Sequence, residues 1–156
     1  MLAGGWLRPV RGRGCCSTLA ARLFACHKGR VQTVFLIFLG GGAGSVLRWL
    51  TGLGATRLFG TGFPMGTLAV NLVGCFVMGL LARLLLPADA GGADARFLLM
   101  TGVLGGYTTF SAFALEAAGL WMREAAGLAL VYVGLSVMGS LAAVALGLWL
   151  GAGWAR

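Results

Sequence analysis

The sequence predicts an all-α integral membrane protein of four transmembrane helices with a break in the third, and three observations carry that prediction. The chain of 156 residues is 59% hydrophobic and only 10% charged, far too apolar for a soluble domain of this size. Its ionisable residues divide it into membrane-length apolar stretches, with 25 uncharged residues between Arg57 and Arg83, 19 between Arg96 and Glu116, and 31 between Glu124 and Arg156. Each exceeds the roughly 18 residues that a spanning helix needs. The third observation is the string Gly105-Gly106-Tyr107-Thr108-Thr109-Phe110-Ser111-Ala112-Phe113 inside the third stretch. A helix in lipid satisfies its own backbone, so paired glycines, paired threonines and a serine at mid-span are costly unless something polar binds or passes there.

Taken in order, residues 1–30 form a basic leader with Arg8, Arg11, Arg13, Arg22, Lys28 and Arg30, six of the twelve basic residues, and none of the four acidic ones. Arg22 interrupts its longest apolar run, which argues against a secretory signal. The leader is expected to be disordered, or to precede a true start at Val31. Residues 31–156 form one membrane domain with spans near 32–53, 64–86, 96–121 and 126–150. The first reaches spanning length only if Arg48 is taken in near its end, because Val31 to Leu47 supplies 17 uncharged residues. Pro64 stands at the entrance of the second, where its missing N–H costs little. The i,i+4 glycine pairs Gly40/Gly44, Gly102/Gly106 and Gly147/Gly151 predict close helix packing.

Charge excludes some functions. The formal +8 falls to +2 once the leader is set aside, with six basic against four acidic residues, and no basic stripe with interleaved aromatics remains for nucleic acid. The cysteines Cys15, Cys16, Cys26 and Cys75 have no C-x-x-C spacing, and the only histidine is His27 in the leader, which argues against zinc. No nucleophile, base and orienting group can be assembled from the ionisable residues of the domain, so no enzyme is expected. After Val31 the basic residues near the span ends divide three against three between the two sides of the membrane. Lys and Arg set orientation, so a balanced count predicts insertion both ways and an antiparallel homodimer.

The polar residues within the spans carry the chemistry. Asn71, mid-way along the second span, reads either as an interhelical hydrogen bond worth on the order of 1 kcal/mol or, with Thr67 one turn earlier, as a donor for an anion. Phe110 and Phe113, three apart on one face beside Thr109 and Ser111, read either as core or as ring edges that favour an anion. Gly105-Gly106 reads either as a plain kink or as a break whose freed carbonyls suit a hard cation. Tyr132, Ser136 and Ser140 share one face of the fourth span. Arg48 and Glu116 are charges within the membrane, each costing about 2.5–3.5 kcal/mol if central, so each needs a partner or a watery vestibule; for Arg48, snorkelling to the interface is the alternative.

Together, Gly41-Gly42-Ala43-Gly44-Ser45-Val46-Leu47-Arg48, Gly66-Thr67-Leu68-Ala69-Val70-Asn71-Leu72-Val73-Gly74 and the Gly105–Phe113 string resemble the Fluc (CrcB) family of fluoride channels, from about Val31 to Leu150. The resemblance implies passive fluoride export across the cytoplasmic (inner) membrane by an antiparallel homodimer with two pores and a structural sodium ion on the dimer axis. It implies pore roles for Phe110, Phe113 and Asn71, with Tyr132 and Ser136 as the polar side of the fourth helix. Arg48 and Glu116 would be the vestibule charges, and the Gly105 and Thr108 carbonyls the sodium ligands. Ala112 departs from the family's usual threonine, which bears on the polar track rather than on the fold. Two other readings stand beside it, a small proton-coupled multidrug exporter and a non-transporting membrane assembly subunit. The exporter needs a carboxylate in the first span, and Val31 to Leu53 has none.

Overall fold

The structure is a computed structural model that describes residues 19–85 and 92–154. The chain divides into two compact units, Met1–Val31 and Gln32–Arg156. In the first, the described residues from Leu19 onward are helical. The leader was expected to be disordered or to precede a true start at Val31, and Leu19–Cys26 holds no Gly or Pro to stop a helix. The rest of the leader lies outside the described residues.

Among the described residues every regular element is helical: α1 (Leu19–Phe59), α2 (Met65–Leu85), α3 (Ala93–Arg96), a π-helical segment (Phe97–Leu104), α4 (Gly105–Tyr107), α5 (Phe110–Met122) and α6 (Ala126–Trp154). Four stretches, Arg30–Phe59, Met65–Leu85, Ala93–Met122 and Ala126–Gly153, are long and apolar enough to cross a membrane. The first runs past residue 53 because no proline intervenes and Gly52 and Gly54 stay helical, up to Gly60, whose φ of 76° is the left-handed turn that ends a helix. Its N–H closes the end on the Thr56 carbonyl at 3.0 Å. The third begins earlier than residue 96, at Ala93, where Asp94 in the first turn suits the helix dipole.

The glycines set two packing seams. A Cβ on Gly40, Gly44 or Gly106 would strike backbone across the seam, at Leu98, Val103 and Gly41 respectively. On Gly79 or Gly147 it would strike Val144 or Phe76. The first seam joins α1 to the third span and the second joins α2 to α6, both by backbone approach that only glycine permits. Leu68, Phe113, Leu120, Ala129 and Tyr132 form the core where α2, α5 and α6 meet. Elsewhere large apolar side chains such as Phe38, Trp49 and Met138 face outward, as expected where the surrounding solvent is hydrocarbon.

The glycine pair plays a different part from the one sequence suggested. Gly105 and Gly106 stay helical in α4, and the chain leaves helical geometry at Thr108 (ψ 155°) and Thr109 (φ −152°, ψ 120°). Gly106 is small because Gly41 lies against it. A Cβ on Gly74 of α2 would fall on the Thr108 methyl, and Thr108 is anchored by its hydroxyl, which donates to the Leu104 carbonyl at 2.9 Å. Gly74→Ala should therefore lower the melting temperature of the purified protein. Thr108→Ser in the same chain removes the clashing methyl but keeps the anchoring hydroxyl, and should restore it.

Candidate functional site

Asn71 holds the non-helical pair. Its Nδ2 donates to the Thr109 carbonyl at 3.0 Å and its Oδ1 accepts from the Thr109 N–H at 2.9 Å. The Thr109 hydroxyl caps α5 by accepting from the Ala112 N–H at 3.2 Å. These contacts redirect two helix bonds. In a continuous helix the Thr109 N–H would bond the Gly105 carbonyl, and the Ala112 N–H would bond the Thr108 carbonyl. Here Asn71 and the Thr109 side chain take those donors, so the Gly105 and Thr108 carbonyls are released from the ladder. Gly105 is exposed on this chain.

Beside the clamp lies a cavity of about 420 Å³, lined among others by Asn71, Thr109, Phe110, Phe113, Ser136 and Ser140. The rings of Phe110 and Phe113 are 5.4 Å apart between centroids and tilted by 53°. Phe110 is 77% exposed on the single chain, whereas Phe113 is 8% exposed and also belongs to the core. Ser136 is 6% exposed, and its Oγ has no hydrogen-bond partner among the described residues. An unpaired buried hydroxyl costs about 1–3 kcal/mol unless something else satisfies it. Ser136 as a residue lines the cavity, while its Oγ is closed off from it.

Other predicted residues sit elsewhere. Ser111 is exposed and shares a hydrogen bond with the Thr109 hydroxyl at 3.2 Å. Tyr132 is fully buried between Phe63 and Phe113, and its hydroxyl donates to Glu116 Oε2 at 2.7 Å. Thr67, expected to point with Asn71 toward an anion, donates instead to Glu116 Oε1 at 2.8 Å. A carboxylate in a membrane draws the nearest donors, and two neutral hydroxyls, one on each oxygen, hold it there. Arg48 lines a separate cavity of about 270 Å³ with Thr67, Thr109 and Ala112. Glu116 lines a third, of about 550 Å³, with Arg123 and the 60–64 turn. The two charges thus flank Thr67 from different cavities.

Sequence reasoning missed the Thr67–Glu116–Tyr132 link, although a mid-span carboxylate with few hydroxyls available to it was a usable signal. It also missed the Phe97–Leu104 π-segment, for which this apolar run holds no cue. π-segments recur near functional sites, and this one leads directly into α4 and the clamp.

Residues 35–148 match the family described as CrcB-like protein, Camphor Resistance (CrcB). The chain is 50% identical over 124 residues to a protein of Cereibacter sphaeroides named fluoride-specific ion channel FluC, an alignment covering 80% of this chain and 98% of that one. It is 52% identical over 114 residues to the protein of the same name from Rhizobium etli, covering 73% and 91%. For the Chelativorans relative, again of that name, the identity is 50% over 117 residues, covering 75% and 94%. The chain is a member of the CrcB family.

Proposed function

We propose that this protein is a fluoride-specific channel, exporting fluoride passively across the cytoplasmic membrane and lowering its concentration inside. The reading draws on the names of its relatives, and the single observation that carries it is a cavity walled by the Phe110 and Phe113 rings with the Asn71 amide beside them. Fluoride is a small anion that accepts hydrogen bonds and donates none. Asn71 has a second N–H beyond the one it gives Thr109, and the electropositive edges of Phe110 and Phe113 favour negative charge while giving water little to bond. The cavity wall contains no carboxylate, and Glu116 is held by Thr67 and Tyr132. Compulsory proton coupling therefore has no acid in the cavity to work through. Arg48 and Glu116 act as vestibule charges outside it.

The channel works as an antiparallel homodimer, and a sodium ion is its structural cofactor. The Gly105 and Thr108 carbonyls suit that ion because both have lost their helix donors and are hard oxygen ligands. When bound, sodium would supply a positive charge that the Gly105 and Thr108 carbonyls hold. The chain itself contributes the clamp, since Asn71 and the Thr109 hydroxyl keep the donors away from those carbonyls.

Efflux from proteoliposomes, with voltage clamped and no pH difference, tests the transport reading. Fluoride should leave freely; movement only under an imposed pH gradient would mean a coupled exporter. Gly105→Leu tests the cofactor. A Cβ at Gly105 meets nothing closer than the Met100 carbonyl at 3.9 Å, so the subunit should fold with the dimer weakened and its sodium dependence lost. An intact, sodium-responsive dimer in that variant would remove Gly105 from the site.

A further inference from the structure

Tyr107 has no part in that reading, although the two proposed sodium ligands, Gly105 and Thr108, stand on either side of it. Its half-buried side chain reaches across the first seam, and its hydroxyl lies 3.3 Å from Thr51 Oγ1 on α1. A hydroxyl has one proton to give. Thr51 gives its own to the Leu47 carbonyl at 2.9 Å, so in this bond the Tyr107 O–H donates and Thr51 accepts. The residue is enclosed from two helices as well. A Cβ on Gly44 of α1 would fall on the Tyr107 backbone nitrogen, and one on Gly74 of α2 would come within 3.4 Å of its ring.

Tyr107 is the last residue of α4, and the chain leaves helical geometry at the next one, Thr108. Beyond it, Thr109 is clamped to α2 by Asn71. The Thr108 N–H and hydroxyl both turn back to the Leu104 carbonyl, at 3.0 and 2.9 Å, which fixes Thr108 to α4 but not α4 to its neighbours. Thr108 therefore stands between two tethers, one to α1 through Tyr107 and one to α2 through Thr109. We propose that Tyr107 is a positioning residue for the cation site, its bond to Thr51 holding the end of α4 so that the Gly105 and Thr108 carbonyls keep one orientation. This rests on the reading of those carbonyls as sodium ligands. Phenylalanine would fill the same room, so packing alone does not call for the hydroxyl. A ligand set left to rock about the Thr108 dihedrals holds its ion less tightly, even in a subunit that stays folded.

The test compares the purified full chain with its Tyr107→Phe, Thr51→Val, double and Thr51→Ser variants. Two quantities are read: the melting temperature across a sodium chloride titration at constant ionic strength, and hydrogen–deuterium exchange of residues 104–110 without sodium. Tyr107→Phe and Thr51→Val should each need about fivefold more sodium to reach half of the stabilisation, the effect of one net hydrogen bond. The double variant should need no more than either single one, and Thr51→Ser, which keeps the acceptor, should titrate as the parent does. Exchange at 104–110 should quicken in the first three variants while that of α6 is unchanged. A bond that serves stability alone would lower the melting temperature equally at every sodium concentration and leave the midpoint where it was. That result would overturn the proposal, as would a Thr51→Ser protein that titrates like Thr51→Val. If sodium does not stabilise the parent at all, the cation reading fails, and exchange still decides the role of Tyr107. Faster exchange confined to 104–110 in Tyr107→Phe keeps it as the residue that fixes the break, and exchange equal to the parent's removes it.

Discussion

Phe110→Ile and Phe113→Ile should each abolish fluoride efflux from a dimer that remains assembled. Isoleucine keeps apolar bulk and removes the ring, so the comparison isolates the electropositive edge from simple space filling. The two positions then separate by burial. Phe110 is 77% exposed on the single chain, so the subunit loses little packing when it is replaced. Phe113 is 8% exposed and packs in the core beside Tyr132, at 5.4 Å between ring centroids. Its replacement should also cost about 1 kcal/mol of stability. Efflux measured alongside size-exclusion retention distinguishes the roles, and wild-type flux in both variants would return the rings to packing alone.

The second large effect is expected at Asn71. Asn71→Leu leaves the Thr109 N–H and carbonyl, both now bonded to its side chain, without partners inside the membrane. Each orphaned group costs about 1–3 kcal/mol, and the segment's simplest escape is to re-form the helix across Thr108 and Thr109. Stability, flux and sodium dependence should then fall together. Asn71→Asp accepts from the Thr109 N–H but cannot donate to its carbonyl, so it should be intermediate in thermal stability. A stable, conducting Asn71→Leu protein would show that the clamp is dispensable.

The four spans were legible because charges punctuate the chain: Arg57, Arg83, Arg96, Glu124 and Arg156 bound stretches that only a membrane explains. The departure from helix in the third span was legible as a need and misread in place. Glycine is flexible and also small, and a sequence does not say which property a given glycine serves. At Gly106 it is size, against Gly41, while Thr108 and Thr109 leave the helix because a side chain 38 positions away replaces the lost bonds. Asn71 likewise offered both an interhelical bond and a pore donor. It makes the bond, to backbone, and still lines the cavity. Thr67 and Asn71 sit one turn apart and looked like a single donor row, but the carboxylate of Glu116 captures Thr67. Such partnerships depend on how α2, α5 and α6 pack, which periodicity along one helix does not encode.

Anion-competition efflux on the purified protein decides whether the cavity passes fluoride selectively. Proteoliposomes loaded with fluoride or with chloride are clamped in voltage, given no pH difference, and followed with ion-selective electrodes. Fluoride should leave, chloride should stay, and excess chloride should not slow the fluoride. Equal passage of both anions, or retention of fluoride, would contradict the channel reading.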